Sequence, residues 1–158
     1  MRHTGTETSG GITLIGGDRL LERAKDLVMD YRCLPFRNNS VDVVMFDPPF
    51  QPQTVNGLIG DRFTKIHGKV DAVKSDVQAG LSECWRVARV GMVVKVQDYI
   101  HDHKPVWMSM WVWEAMGEPY DFVTLRAPAK MIAPNWNKQK SVWRNHSTFW
   151  VYRKKSIR

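Results

Sequence analysis

Two hydrophobic periods divide this chain. Val41-Asp42-Val43-Val44-Met45-Phe46 is apolar on both faces except at Asp42, the pattern of a strand in a parallel sheet covered by helices. From Val70 the period lengthens. Val70, Val73, Val77, Leu81, Cys84, Trp85 and Ala88 fall at three- and four-residue steps, which predicts an amphipathic helix stopped by Gly91. A strand follows at 92–96. A second helix is expected over 105–116, with Trp107, Met110, Trp111 and Ala115 on one face and Gly117 closing it. Residues 121–125 and 148–152 read as a final hairpin-like pair of strands. Upstream, 12–15 and 27–29 are short strand candidates. Between them a short helix is expected over 19–25, with Asp18 as its N-cap. Residues 1–11, rich in Gly, Ser and Thr, read as a flexible arm, and 51–69 and 126–146 as long loops. The order predicts an α/β sheet in a single domain over 12–158.

Composition narrows the class. With 158 residues, 43% apolar and 25% charged, the chain suits one soluble globular domain. No apolar run reaches the ~20 residues of a membrane span, and residues 1–5 carry no signal-peptide pattern. Cys33 and Cys84 match no metal or redox spacing, and the histidines, His101-Asp102-His103 included, match no ligand spacing. A reducing, cytoplasmic setting without a bound metal is expected.

The net charge of +7 is uneven: no acidic residue follows Asp121. Arg126, Lys130, Lys138, Lys140 and Arg144 lie in a basic stretch with Trp136 and Trp143 between them. Cations neutralise phosphates and exposed rings stack on bases, so these five residues form a candidate nucleic-acid surface. A solvated basic tail with core tryptophans is the plainer alternative.

The densest chemistry is Asp47-Pro48-Pro49-Phe50, at the carboxyl end of the 41–46 strand. Ligands bind at such strand ends in α/β sheets. The Asp47 carboxylate and the Pro48 carbonyl can accept both hydrogens of one exocyclic amine, and the Phe50 ring can stack on a base. Pro48 and Pro49 remove backbone donors and stiffen the turn. Lys95 and Asp98 end the neighbouring predicted strand, where they either line the acceptor side or form a surface ion pair.

With Asp30-Tyr31-Arg32-Cys33-Leu34-Pro35-Phe36 upstream, the tetrapeptide resembles the class I S-adenosylmethionine-dependent amino-methyltransferases of DNA, most of all small phage-type adenine methylases. Glu83 to Gly91 is similar to a helix-to-strand stretch of that family, with Val90-Gly91 in place of its usual Pro-Gly or Gly-Gly, and Arg144-Asn145-His146 also resembles those enzymes. The resemblance spans roughly 12–152. It implies a Rossmann-like class I sheet, mostly parallel with an antiparallel C-terminal strand, truncated or degenerate at the N-terminus. It further implies S-adenosylmethionine as cofactor, held by Asp18, Asp30, Tyr31, Leu34 and Pro35, and Asp47, Pro48, Pro49 and Phe50 as the catalytic group. Either Asp18 ends the ribose-binding strand and the first strand is lacking, or 12–15 is that first strand and Gly16-Gly17-Asp18 a degenerate Gly-rich loop.

The expected reaction is methyl transfer to an exocyclic amine of a flipped DNA base. An initial Asp points to adenine N6 over cytosine N4, and no Pro-Cys pair offers the thiolate of cytosine-C5 chemistry. The alternatives are a degenerate module that binds nucleic acid or a partner, and an enzyme acting on an RNA base or a protein lysine. DNA is the expected partner, with a homo-oligomer or a second chain completing the cofactor pocket.

Overall fold

A computed structural model describes residues 7–9, 12–18, 26–48, 70–126 and 146–155. Along the chain these form β1 (Glu7–Ser9), β2 (Ile12–Leu14), β3 (Gly17–Asp18), β4 (Leu27–Val28), β5 (Val41–Phe46), α1 (Val70–Val87), β6 (Ala88–Val96), β7 (Tyr99–His101), β8 (Lys104–Val106), α2 (Met108–Met116), β9 (Asp121–Arg126) and β10 (His146–Arg153). The central sheet has the order β5-β6-β10-β9. β5 and β6 are parallel, as a crossover through a helix requires. β10 runs antiparallel to both β6 and β9, so β9 points the same way as β5 and β6. The result is an α/β sheet, mostly parallel, with an antiparallel C-terminal strand.

α1 lies against this sheet because its apolar residues share one stripe. Val73, Val77 and Leu81 are fully buried and Cys84 nearly so, packed with Phe46, Met92 and Val94. Each such aliphatic side chain contributes about 1.5–3 kcal/mol. The helix ends without a glycine. The Arg86 and Val87 carbonyls accept hydrogen bonds from the N–H groups of Asn39 and Ser40, so the segment entering β5 satisfies the end of α1. The expected stop at Gly91 is therefore a correction: Gly91 lies inside β6, where a side chain would overlap the Tyr152 carbonyl oxygen of β10.

α2 starts later than expected. Residues 104–106 pair with 99–101 as a hairpin, and Asp98 accepts hydrogen bonds from the Ser109 N–H at 2.8 Å and its hydroxyl at 3.1 Å, in the first turn of α2. Asp102 and His103 both have positive φ, 47° and 62°, the backbone of a two-residue hairpin turn with type I′ character. The buried residues of α2 are Met108, Trp111 and Val112, whereas Trp107, Met110 and Ala115 are exposed. Eight of the ten residues from 107 to 116 are apolar, so periodicity could not single out the inward face.

The N-terminal elements stand apart from the central sheet. Glu7–Ser9, inside the expected arm, pair antiparallel with Ile12–Leu14. β3 and β4 form a parallel pair, with the Met29 N–H donating to the Asp18 carbonyl. Residues 12–14 are thus part of a hairpin, and Asp18 ends the separate strand β3 beside β4. The short helix expected over 19–25 and most of the two long loops, 51–69 and 127–145, lie outside the described residues.

Both described helices pack on one face of the central sheet. On the other face Val43, Met45, Val123 and Leu125 are each more than half exposed, so no described helix covers it.

Replacing Gly91 with Ala should destabilise the fold by about 1–3 kcal/mol, because backbone cannot yield as a side chain can; urea unfolding checks this. Alkali should also weaken the fold. Burial pushes the Cys84 thiol from its ordinary 9.0 up to about 12 and the Tyr152 phenol from 10.0 up to about 12. Both hold their protons more tightly folded than unfolded. Their contribution is complete below pH 9 and lost as pH rises from 9 through 12, which urea midpoints across that range measure.

Candidate active site

Asp47 follows the last residue of β5. The pair Phe46↔Val94 places it beside Lys95 of β6, on the sheet face turned away from the helices. Its side chain is 58% exposed, whereas Pro48 is fully buried, so a fixed turn presents an open carboxylate. Lys95 Nζ donates to Asp47 Oδ2 at 2.9 Å, so the ion pair is present. Asp98, the other residue expected on this edge, holds the start of α2.

A second carboxylate sits nearby in the fold. Asp18 ends β3 and Asp30 lies two residues beyond β4, so both are at the carboxyl end of one parallel pair. Three N–H groups of Arg32 occupy Asp30. The backbone N–H donates to Oδ1 at 2.9 Å, Nε lies 3.0 Å from Oδ1 and 3.2 Å from Oδ2, and Nη2 donates to Oδ2 at 2.7 Å. Arg32 Nη1 also donates to Asp76 of α1 at 3.0 Å. These hydrogen bonds, first to Asp30 and then to Asp76, drive the guanidinium pKa above its ordinary range.

The turn carrying Asp30 is joined to the strand carrying Asp47 by two rings. Tyr31 and Phe46 have centroids 5.4 Å apart, inclined at 54°. Both rings press on α1 at Gly80, where a Cβ would come within 2.6 Å of each. A glycine in mid-helix costs about 1 kcal/mol relative to Ala. Here it admits both rings.

Further along, α1 grips the 34–38 segment. The Leu34 N–H donates to Glu83 Oε1 at 2.8 Å, and Arg86 Nη2 donates to the carbonyls of Leu34 and Phe36 at 3.3 and 3.0 Å. Arg86 Nη1 donates to Asn38 Oδ1 at 2.6 Å, and its Nε donates to Glu83 Oε2 at 2.8 Å. The hydrogen bond from Arg86, helped by that from Leu34, holds the Glu83 carboxyl below the usual carboxylate range.

Of the residues singled out in the sequence, Asp18, Asp30, Tyr31, Leu34, Pro35, Asp47 and Pro48 are described. Leu34 is half-buried against the core and Pro35 is exposed. Pro49 and Phe50 lie outside the described residues, as do Lys130, Lys138, Lys140 and Arg144; Arg126 is described only as the last residue of β9. Sequence reading overlooked Arg32, Gly80 and the Glu83–Arg86 clamp. The i,i+3 spacing of Glu83 and Arg86 on a predicted helix was a usable signal. Arg32, two residues from Asp30, carried none.

Arg86→Ala should release the loop. Hydrogen exchange at the Leu34 amide is expected to accelerate while amides in the middle of β6 keep their protection. In the unaltered protein the Glu83 contribution is present above pH 4.5, the ordinary value, and lost as pH falls through the depressed folded value. Leu34 protection measured across that acid range checks the sign.

No protein-family model matches this chain, and no curated protein does. Two solved structures share part of its backbone trace. A Thermus thermophilus protein, provisionally described as a DNA modification methylase, is 13% identical with a TM-score of 0.45, over 78% of this chain and 51% of that one. The PvuII DNA methyltransferase, cytosine-N4-specific, is 15% identical with a TM-score of 0.48, over 77% of this chain and 45% of that one. The chain thus spans about half the length of either.

Proposed function

We propose that this chain transfers a methyl group to an exocyclic amine of a DNA base, with adenine N6 as the acceptor. One observation carries the reading: Asp47 stands open at the carboxyl end of a parallel strand, and the turn bearing Asp30 packs directly against the buried end of that strand through Tyr31 and Phe46. S-adenosylmethionine, when bound, supplies the methyl group on a sulfonium. Asp18 and Asp30, at the ends of neighbouring parallel strands, suit the ribose hydroxyls and adenine amine of that donor, with Arg32 competing for Asp30. Tyr31, Leu34 and Pro35 complete that side of the site in this reading.

The acceptor side works by positioning. The base leaves its stack to be reached. Asp47 accepts one amine hydrogen and the Pro48 carbonyl the other, which turns the nitrogen lone pair toward the methyl group, while Phe50 stacks on the base. The nitrogen would become cationic as it gains the methyl, with the donor sulfur keeping the pair of the broken carbon–sulfur bond, and would then lose one proton to solvent. No covalent nucleophile is required. Arg126, Lys130, Lys138, Lys140 and Arg144 supply the DNA-binding charge in this proposal. We assign 12–158 to one domain, working inside the cell, with its cofactor pocket completed by a second copy or another chain.

One observation favours a second reading, a module that binds nucleic acid or a partner without catalysis: Arg32 already occupies both oxygens of Asp30. Calorimetric titration with S-adenosylmethionine, alone and with DNA, separates the two. Binding of the cofactor is expected for the enzyme, and no binding at millimolar concentration is the outcome of the module. Asp47→Ala should lower transfer of labelled methyl to DNA by about 100-fold or more without unfolding the protein. Transfer at the unaltered rate in that variant would discard the assignment.

A further inference from the structure

We propose that Lys95 is a positioning residue that holds one oxygen of Asp47 and leaves the other to the acceptor amine. This inference rests on the methyl-transfer reading above.

The two members of the ion pair are unequally anchored. Asp47 has just left β5 and is 58% exposed. Lys95 stands inside β6, one residue past the last β5 pair, Phe46↔Val94, with Phe149 of β10 directly opposite it. Its side chain is only 25% exposed. The lysine is held by the sheet on its backbone and is the less exposed of the two, so the hydrogen bond from its Nζ to Oδ2 restrains the open carboxylate. As a contribution to stability such a pair counts for little. As a constraint on a reacting group it matters, because a displacement of about 1 Å can slow a positioned reaction about 100-fold.

The choice of lysine has a geometric consequence. Arg32 shows what a guanidinium does in this fold: its planar fork spans both oxygens of Asp30. An ammonium is a point charge with independent donors, and the one at Lys95 engages Oδ2. An acceptor aspartate needs that arrangement, since a hydrogen of the base amine must find an oxygen not spanned by a fork.

The test uses the full chain in single-turnover methyl transfer to DNA, with Lys95→Met, Lys95→Arg and Asp47→Ala compared after thermal melting has established that each is folded. Lys95→Met is expected to lower the transfer rate by about 10- to 100-fold, with the KM for DNA and the calorimetric affinity for S-adenosylmethionine unchanged. Lys95→Arg keeps the charge but brings a fork, and is expected to be slowed as well. Unaltered transfer in Lys95→Met, with Asp47→Ala inactive, overturns the inference and leaves the methyl-transfer reading standing. Unaltered transfer in Lys95→Arg alone overturns the one-oxygen geometry. Unaltered transfer in Asp47→Ala instead removes the reading on which both rest.

Discussion

The burial of α1 against the parallel pair β5–β6 is the constraint on which the other features hang. Val73, Val77, Leu81 and Cys84 close over Phe46, Met92 and Val94, which sets the height of β5 against β6 and therefore where β5 ends. Asp47 is the first residue past that end. The same helix meets the Tyr31 ring at Gly80, takes the Leu34 N–H on Glu83 and holds the Leu34 and Phe36 carbonyls with Arg86. One helix thus positions both halves of the site, the buried stripe facing the sheet and its polar flank facing the 30–38 turn. A shift of α1 by a single turn, about 5.4 Å, would dismantle both at once.

The two carboxylates this scaffold presents are held in contrasting ways. Asp30 is gripped by a fork that also reaches Asp76 on α1, so its oxygens are committed within the protein. Asp47 is touched by Lys95 at Oδ2 and remains largely open to solvent. The Asp47 turn is consequently the more accessible of the two, and any group bound at Asp30 would have to contend with Arg32. That contrast follows from cation shape and could not arise from net charge, since Arg32 and Lys95 carry the same sign.

The elements that departed from the sequence pattern did so for different reasons. β5 was legible to the residue, because five Val, Met and Phe positions interrupted by Asp42 alone end one residue before a double proline. Gly91 was mistaken for a helix stop because glycine commonly ends helices. Its actual reason, the approach of the Tyr152 carbonyl from a strand some sixty residues later, is a long-range one. The buried face of α2 was unreadable for another reason: with nearly every position apolar, the choice between Met108 and Met110 fell to whichever faced the sheet.

Local chemistry in the chain was enough to establish the α/β class and the placing of Asp47 at a strand end, whereas the mostly parallel sheet with a reversed last strand was an implication of the family resemblance. The first two depend on near-neighbour patterning: apolar period, proline, and the order of strands and helices. The meeting of the Asp30 turn with β5, the clamp from α1 and the pairing of Lys95 with Asp47 were settled only by tertiary packing. They depend on which surfaces meet across separations that run from 15 residues, Tyr31 to Phe46, to 52, Leu34 to Arg86. No local period records that choice, because burial free energy is a property of the pair and not of either partner.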